Sequence, residues 1–245
     1  MAMGLLLTAG HAFAQAEQQP SAPAASATSA AEEIEAMATL RSCFECHGET
    51  GISRDSARPN IAGQKAEYLS RQLFTFRRSS DALSSAEKMG AKEGEINDGS
   101  GAVKPPASRS DPLMSHMAAG LSDSKIFHIA RALSQMPCDG GKAEAAAPRM
   151  PPVKPQVAVR CESCHGETGI SSMPHVPNIA GQQRGYLRRQ LLIIRENAWG
   201  ADSSDSERWR THPIMERQAA RISIEEVDAL AQYYAALDCR GAPAQ

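Results

Sequence analysis

One pentapeptide pattern occurs twice in this chain, as Cys43-Phe44-Glu45-Cys46-His47 and Cys161-Glu162-Ser163-Cys164-His165. Two thiols separated by two residues can add to the two vinyl groups of a single porphyrin. The histidine that follows then lies under the iron as its proximal ligand. A C-x-x-C alone also serves as a zinc half-site or a redox dithiol. Here both copies carry the histidine and continue as Gly-Glu-Thr-Gly-Ile, Gly48 to Ile52 and Gly166 to Ile170. A four-thiolate zinc site would use the cysteines together and leave the duplicated histidines and the shared downstream pattern without a role. The pattern therefore points to two covalently attached haem c groups, with Cys43, Cys46, Cys161 and Cys164 as attachment points and His47 and His165 as iron ligands.

Composition agrees with that reading. The 245 residues suffice for two small domains. Hydrophobic residues make up 42% but aromatics only 4%, few for filling two cores. A buried porphyrin at the centre of each unit would supply the missing bulk. The formal charge of −2, with no basic block, argues against nucleic acid as a partner.

Residues 1–14 read as an export signal, with Leu5, Leu6 and Leu7 as a short apolar core and Ala12-Phe13-Ala14 as a small-x-small cleavage site. The segment before the leucines has no Lys or Arg, which departs from the usual signal and suggests a start codon further upstream. Bacteria attach haem c outside the cytoplasmic membrane, so a periplasmic location is expected on separate grounds. No segment is long and apolar enough for a membrane span. Residues 15–33, mostly Ala, Ser, Pro and Gln, read as a flexible leader, and 138–155 as an interdomain linker. The units between are 34–137 and 156–240, with 241–245 as a tail.

The two units are copies. Pro59-Asn60-Ile61-Ala62-Gly63-Gln64 recurs as Pro177-Asn178-Ile179-Ala180-Gly181-Gln182. Tyr68-Leu69, Arg71-Gln72-Leu73 and Arg77 recur as Tyr186-Leu187, Arg189-Gln190-Leu191 and Arg195 at the same offset. Pro112-Leu113-Met114 matches Pro213-Ile214-Met215 at a shorter offset, so the first copy carries an insertion. Its place is the polar stretch Ser84 to Ser108, which reads as a surface loop. The periodicity predicts an all-α fold. Glu32 to Arg41 leads into the first motif, with Ile34, Met37, Ala38 and Leu40 as core candidates. Lys65 to Ser79 and Gln183 to Asn197 are matching central helices. Each copy ends in an amphipathic helix, on Ile126, Ile129, Ala130 and Leu133, and on Val227, Leu230, Ala231 and Tyr234. Ser223 and Glu226 form a capping box at the last one. Strand-like alternation is absent, and any helix before the second motif has only one or two turns.

The second axial ligand decides whether an iron carries electrons or holds an open position for chemistry. Candidates in the first copy are Met89, Met114, His116, Met117, His128 and Met136. Only Met114 and Met215 present the same ligand type at the same relative place, each two residues after a proline. Met117 is the main rival in the first copy, and His116 or His212 would give two unlike sites. His175 has no histidine counterpart and reads as a surface residue. A thioether favours the ferrous state and gives a relatively high potential. The carbonyls of Pro59 and Pro177 are candidates to accept from Nδ1 of His47 and His165, fixing tautomer and ring plane.

With these residues in place the chain resembles the class I cytochromes c, and specifically the di-haem cytochrome c4 family. The shared features are the haem motif, the Pro-Asn-Ile-Ala-Gly-Gln stretch, the Tyr-Leu…Gln-Leu helix and the Met before a final helix. The resemblance implies two tandem cytochrome c domains about a pseudo-two-fold axis. It also implies axial ligation by His47, Met114, His165 and Met215. It further implies a periplasmic electron carrier, not an enzyme, taking electrons from a quinol-oxidising complex or dehydrogenase and passing them to a terminal oxidase. Departures are the first-copy insertion, the short lead into the second motif, and two further cysteines. Cys138 and Cys239 each closely follow a final helix at equivalent places. An interdomain disulfide, two unpaired thiols and intermolecular bonding are all open for them. A dedicated subunit of one periplasmic oxidoreductase is the alternative function, favoured if the insertion is a docking loop. A haem enzyme is a third, and needs one open axial site.

Overall fold

The computed structural model describes residues 27–88, 108–141, 152–199 and 209–241. Residues 1–14, expected to be an export signal, most of the first-copy insertion and the centre of the expected linker lie outside the described residues. The first unit comprises α1 (Ala27–His47), α2 (Ala66–Lys88), β1 (Ser108–Ser110), α3 (Pro112–Ala119) and α4 (Asp123–Gln135). The second comprises a 3-10 turn (Gln156–Ala158), α5 (Val159–His165), α6 (Arg184–Ala198), β2 (Trp209–Thr211), α7 (Pro213–Ala219) and α8 (Ile224–Ala236). Among the described residues the fold is all-α, as the periodicity predicts, apart from two three-residue strands.

The final helices carry the cores. Ser122 caps α4 by accepting from the Lys125 N–H, and Ser223 with Glu226 closes the capping box on α8. Ile126, Ile129, Ala130 and Leu133 are all buried on α4, as are Val227, Leu230, Ala231, Tyr233 and Tyr234 on α8. Burying each large aliphatic side chain contributes about 1.5–3 kcal/mol. Ala36 and Leu40 of α1, Leu69 of α2 and Ile129 of α4 join in the first core. Val157, Leu187, Leu230 and Tyr234 join in the second.

Two expectations about the N-terminal region change. Residues 27–33, assigned by composition to a flexible leader, form the first turns of α1; the run is rich in Ala, the best helix former. Glu32 accepts from the Ser124 hydroxyl at 2.7 Å and Glu35 pairs with Lys125 at 2.7 Å, tying this end to α4. Ile34 is 72% exposed and Ala38 is exposed, so neither is core. Ala36 is buried instead, because the face that meets α4 runs through Ala36 and Leu40 at an i, i+4 spacing.

The units meet along a two-fold seam. β1 and β2 pair antiparallel, with Arg109 opposite Arg210. Cys138 and Cys239 form a disulfide with Cα atoms 6.0 Å apart, so Cys138 opens the linker as a fixed point. Arg240 adds an ion pair with Asp139 at 3.7 Å. Gly63 and Gly181 lie against this bridge, and a Cβ on either would collide with Cys138 or Cys239. Their N–H groups donate to the Leu133 and Tyr234 carbonyls, both at 2.9 Å, locking the preceding loops onto α4 and α8.

Candidate functional site: two thiol–imidazole centres and the seam between them

α1 runs through the first motif and ends at His47, while α5 carries the second and ends at His165. The helix sets each cysteine pair one turn apart and brings the histidine to the helix end. All four cysteines carry unbridged, half-buried thiols. Burial raises the thiol pKa of Cys43 and of Cys161, which keeps both protonated and apolar. His47 and His165 are each only 7% exposed.

The imidazoles are oriented identically. His47 Nδ1 lies 2.9 Å from the Pro59 carbonyl, and His165 Nδ1 lies 3.0 Å from that of Pro177. A carbonyl only accepts, so Nδ1 carries the proton and Nε2 keeps the lone pair a metal requires. Burial is the main influence holding both histidines below their ordinary pKa, with nearby cations adding to it against the proline bonds. Neutral imidazole is the ligating form. Pro59 and Pro177 are placed by the loops after each motif. There the Ile61 and Ala62 N–H groups both donate to the Gly51 carbonyl, and Ile179 and Ala180 repeat this on Gly169. Gly166 caps α5 at φ 81° and ψ 155°, a conformation reserved for glycine, and turns the chain back toward Pro177.

Met114 and Met215 occupy the same place, in the first turn of a proline-led helix, and both are half-buried. The Asp111 carboxylate accepts from the Met114 N–H at 3.2 Å; His212 Nδ1 accepts from the Met215 N–H at 3.4 Å. The cap at His212 engages the ring nitrogen facing α7. α3 packs on α2, and α7 on α6. The other candidates divide. Met117 is 40% exposed, His116 and His175 are exposed, and Met136 packs against the first core. His128 is half-buried on α4, and Met89 lies outside the described residues. Among the described residues no three or more His, Cys, Asp or Glu side chains gather as a metal cluster. No described helix is long and apolar enough to cross a membrane.

The Pro-Asn-Ile-Ala-Gly-Gln stretch has a second role that the sequence reading missed. The Asn60 N–H donates to Gln182 Oε1 at 2.7 Å and the Asn178 N–H to Gln64 Oε1 at 3.0 Å. The two glutamine amides return bonds to the Asn60 and Asn178 carbonyls at 2.9 and 2.8 Å. Around this core the Lys65 ammonium donates to the Ser171 and Met173 carbonyls, and Gln183 reaches the Ser53 carbonyl at 2.6 Å. The same segment that orients His47 and His165 thus clamps the domains together. Arg109 and Arg210, which cross the seam to donate to the Tyr186 and Tyr68 hydroxyls at 3.0 and 3.1 Å, were missed as well. Their signal was their position, each five residues before Met114 or Met215 in the repeat.

The donor set fits haem c: a thiol pair one turn apart, then a neutral, fixed imidazole offering Nε2. Comparisons with known proteins agree. The family description "Cytochrome c" matches residues 152–238. The chain is 30% identical over 207 residues to the "thiosulfate dehydrogenase electron acceptor" of Stutzerimonas stutzeri, covering 79% of this chain and 77% of that one. It is 28% identical over 200 residues to cytochrome c4 of Stutzerimonas stutzeri, covering 78% and 82%. The crystal structure of reduced cytochrome c4 from Pseudomonas stutzeri shares the fold at a TM-score of 0.55 and 22% identity, across 84% of this chain and 98% of that one.

Proposed function

The chain belongs to the family of di-haem c-type cytochromes that includes cytochrome c4, and transfers electrons through two covalently attached haem c groups; we propose that it does so in the periplasm as a relay between separate redox partners. Each haem supplies a one-electron iron couple. The chain's own work is to hold that couple, set its potential and present it to partners. In this reading His47 and His165 ligate through Nε2, and Met114 and Met215 close the opposite faces with thioether sulfur. Such irons have no open position for substrate, so the protein passes electrons without binding what is oxidised. The observation that carries the reading is the recurrence of one arrangement in both units: imidazole Nδ1 on a proline carbonyl, with a methionine in the first turn of a proline-led helix.

The donor is a periplasmic dehydrogenase or a quinol-oxidising complex, and the acceptor a terminal oxidase. One relative favours a narrower second reading. The 30% identical protein is named for accepting electrons from thiosulfate dehydrogenase, which supports a dedicated acceptor of a periplasmic sulfur-compound oxidoreductase. Contacts of either kind are small and polar. The test is anaerobic mixing of the oxidised holoprotein with thiosulfate, with and without a purified thiosulfate dehydrogenase. A relay stays oxidised with thiosulfate alone. Reduction of both haems only when the dehydrogenase is added supports the dedicated reading; no reduction leaves the general relay. Reduction by thiosulfate alone would make the protein an enzyme and overturn both.

A further inference from the structure

Lys65 and Gln183 hold the same place in the two copies, yet one is a cation and the other a neutral amide. Each follows the glutamine of the clamp and crosses the seam. The Lys65 ammonium donates to the Ser171 carbonyl and, at 2.9 Å, to the Met173 carbonyl, both in the loop between His165 and Pro177. Gln183 donates to the Ser53 carbonyl at 2.6 Å and to Asn60 Oδ1 at 3.1 Å, and Arg189 adds a bond to the Ala57 carbonyl at 3.4 Å. Both loops are thus gripped from the opposite unit. What each grip reaches differs.

The Ser171 hydroxyl donates to the Cys164 carbonyl at 2.6 Å, and the Ser171 N–H to Asn178 Oδ1 at 3.2 Å. Cys164 directly precedes His165, and Asn178 directly follows Pro177, whose carbonyl fixes the imidazole. Ser171 therefore ties the end of the second motif to the acceptor of its histidine, and Lys65 holds Ser171. The first copy keeps the Ser53–Asn60 bond at 2.9 Å, but there the Ser53 hydroxyl turns to the Asp55 carbonyl at 3.1 Å. The motifs also differ in the support their own unit gives. α1 has 21 residues, is tied to α4 at Glu32 and Glu35, and packs Phe44, inside the motif, against the first core. α5 has 7 residues, and the place of Phe44 is taken by Glu162, which pairs with Lys154 at 2.8 Å. Val157 and Ala158 anchor the start of α5 in the second core. Its end, with Cys164 and His165, leans on Ser171.

We propose that Lys65, a residue of the first unit, is a positioning residue of the second haem centre: through Ser171 it braces the end of α5 and fixes the ring plane of His165. The inference rests on the haem-bearing reading given above, with His165 as an iron ligand. An ammonium suits this task, because a charge-assisted hydrogen bond is roughly twice as strong as a neutral one. The brace supplies from across the seam what the short α5 lacks. The two centres are therefore unequal partners. The second depends on the first unit, whereas the first carries its own support in α1 and Phe44.

The test is Lys65→Ala in the oxidised holoprotein, followed by the paramagnetically shifted haem-methyl resonances, whose pattern depends on the plane of the axial imidazole at each iron. The resonances of the second haem should move and those of the first should stay. Hydrogen exchange of the Ser171 and Met173 amides should quicken roughly tenfold, as expected for the loss of a hydrogen bond to a charged group. Lys65→Arg keeps a cationic donor and should return the second haem toward the parent pattern; a spectrum like that of K65A would contradict a bonded brace. Gln183→Ala removes the matching grip and should leave the first haem close to the parent. A second haem unmoved in folded K65A, or a first haem displaced as far in Q183A, would overturn the inference. Where K65A does not yield di-haem protein, mass spectrometry of its peptides decides. Haem missing at Cys161 and Cys164 but present at Cys43 and Cys46 is expected, and equal loss from both motifs refutes it. The parent separates the two levels. An unmoved second haem in K65A, with both motifs of the parent loaded, discards the Lys65 inference alone, whereas a parent without haem at Cys161 and Cys164 discards the haem-bearing reading itself.

Discussion

Asn60 and Gln182 close on one another across the two halves of the chain. The Asn60 N–H donates to Gln182 Oε1 at 2.7 Å, and the Gln182 amide nitrogen returns a bond to the Asn60 carbonyl at 2.9 Å. Asn178 and Gln64 repeat the exchange. Since Pro59 and Pro177 precede these asparagines and their carbonyls accept from His47 and His165, domain docking and imidazole orientation share one backbone segment.

Gln182→Ala leaves the Asn60 N–H and carbonyl without their partners. A buried polar group so orphaned costs about 1–3 kcal/mol. The expected result is a loss of that size in holoprotein stability, measured by guanidinium denaturation followed by circular dichroism. Gln64→Ala should match it, because the exchange is two-fold. A loss confined to one variant would contradict the symmetric clamp.

The Cys138–Cys239 bridge spans a sequence separation of 101 residues. Closing a loop of that length removes much entropy from the unfolded chain, so a stabilisation of about 2–4 kcal/mol is expected, with the chain-entropy limit near 5. Cys138→Ser with Cys239→Ser should lower the denaturation midpoint accordingly. A reductant should have little further effect on the double variant, while it destabilises the parent.

Gly166→Ala tests the turn that returns the chain from the second motif to Pro177. Alanine at φ 81° and ψ 155° is strained by about 1–3 kcal/mol, and its Cβ would run into the Ile170 carbonyl. The expected outcome is lower stability and a lower yield of di-haem protein, read from the ratio of haem to polypeptide. Gly48→Ala should act alike on the first centre, since its backbone has φ 83° and its Cβ would meet Ile52.

Much of this organisation was legible in the sequence because the chain is written twice. Ile126, Ile129, Ala130 and Leu133 declare their face by spacing alone, and the structure buries all four. Ser223 and Glu226 announce the start of α8, where the capping box forms. Other features were hidden for physical reasons. Three residues such as Ser108–Ser110 are too short to show a period of two, so the ribbon left no alternation to read. Ile34 resembled a core residue, but hydropathy does not reveal which face of α1 meets α4, and Ala36 fills that place. Gln64 and Gln182 showed only as matching positions of the repeat, because a cross-domain bond exists only once the two copies are placed about their axis. Arg109 and Arg210 escaped for the same reason: opposition across the axis is a property of the pair.

The most direct measurement is the methionine-to-iron charge-transfer band of the oxidised holoprotein, quantified per haem and compared with Met114→Ala and Met215→Ala. The expected result is a full band from two low-spin haems in the parent, falling by about half in either single variant as one iron turns high-spin. A parent in which one haem is already high-spin, or single variants in which the band survives undiminished, would contradict ligation by Met114 and Met215 and with it the closed, substrate-free relay.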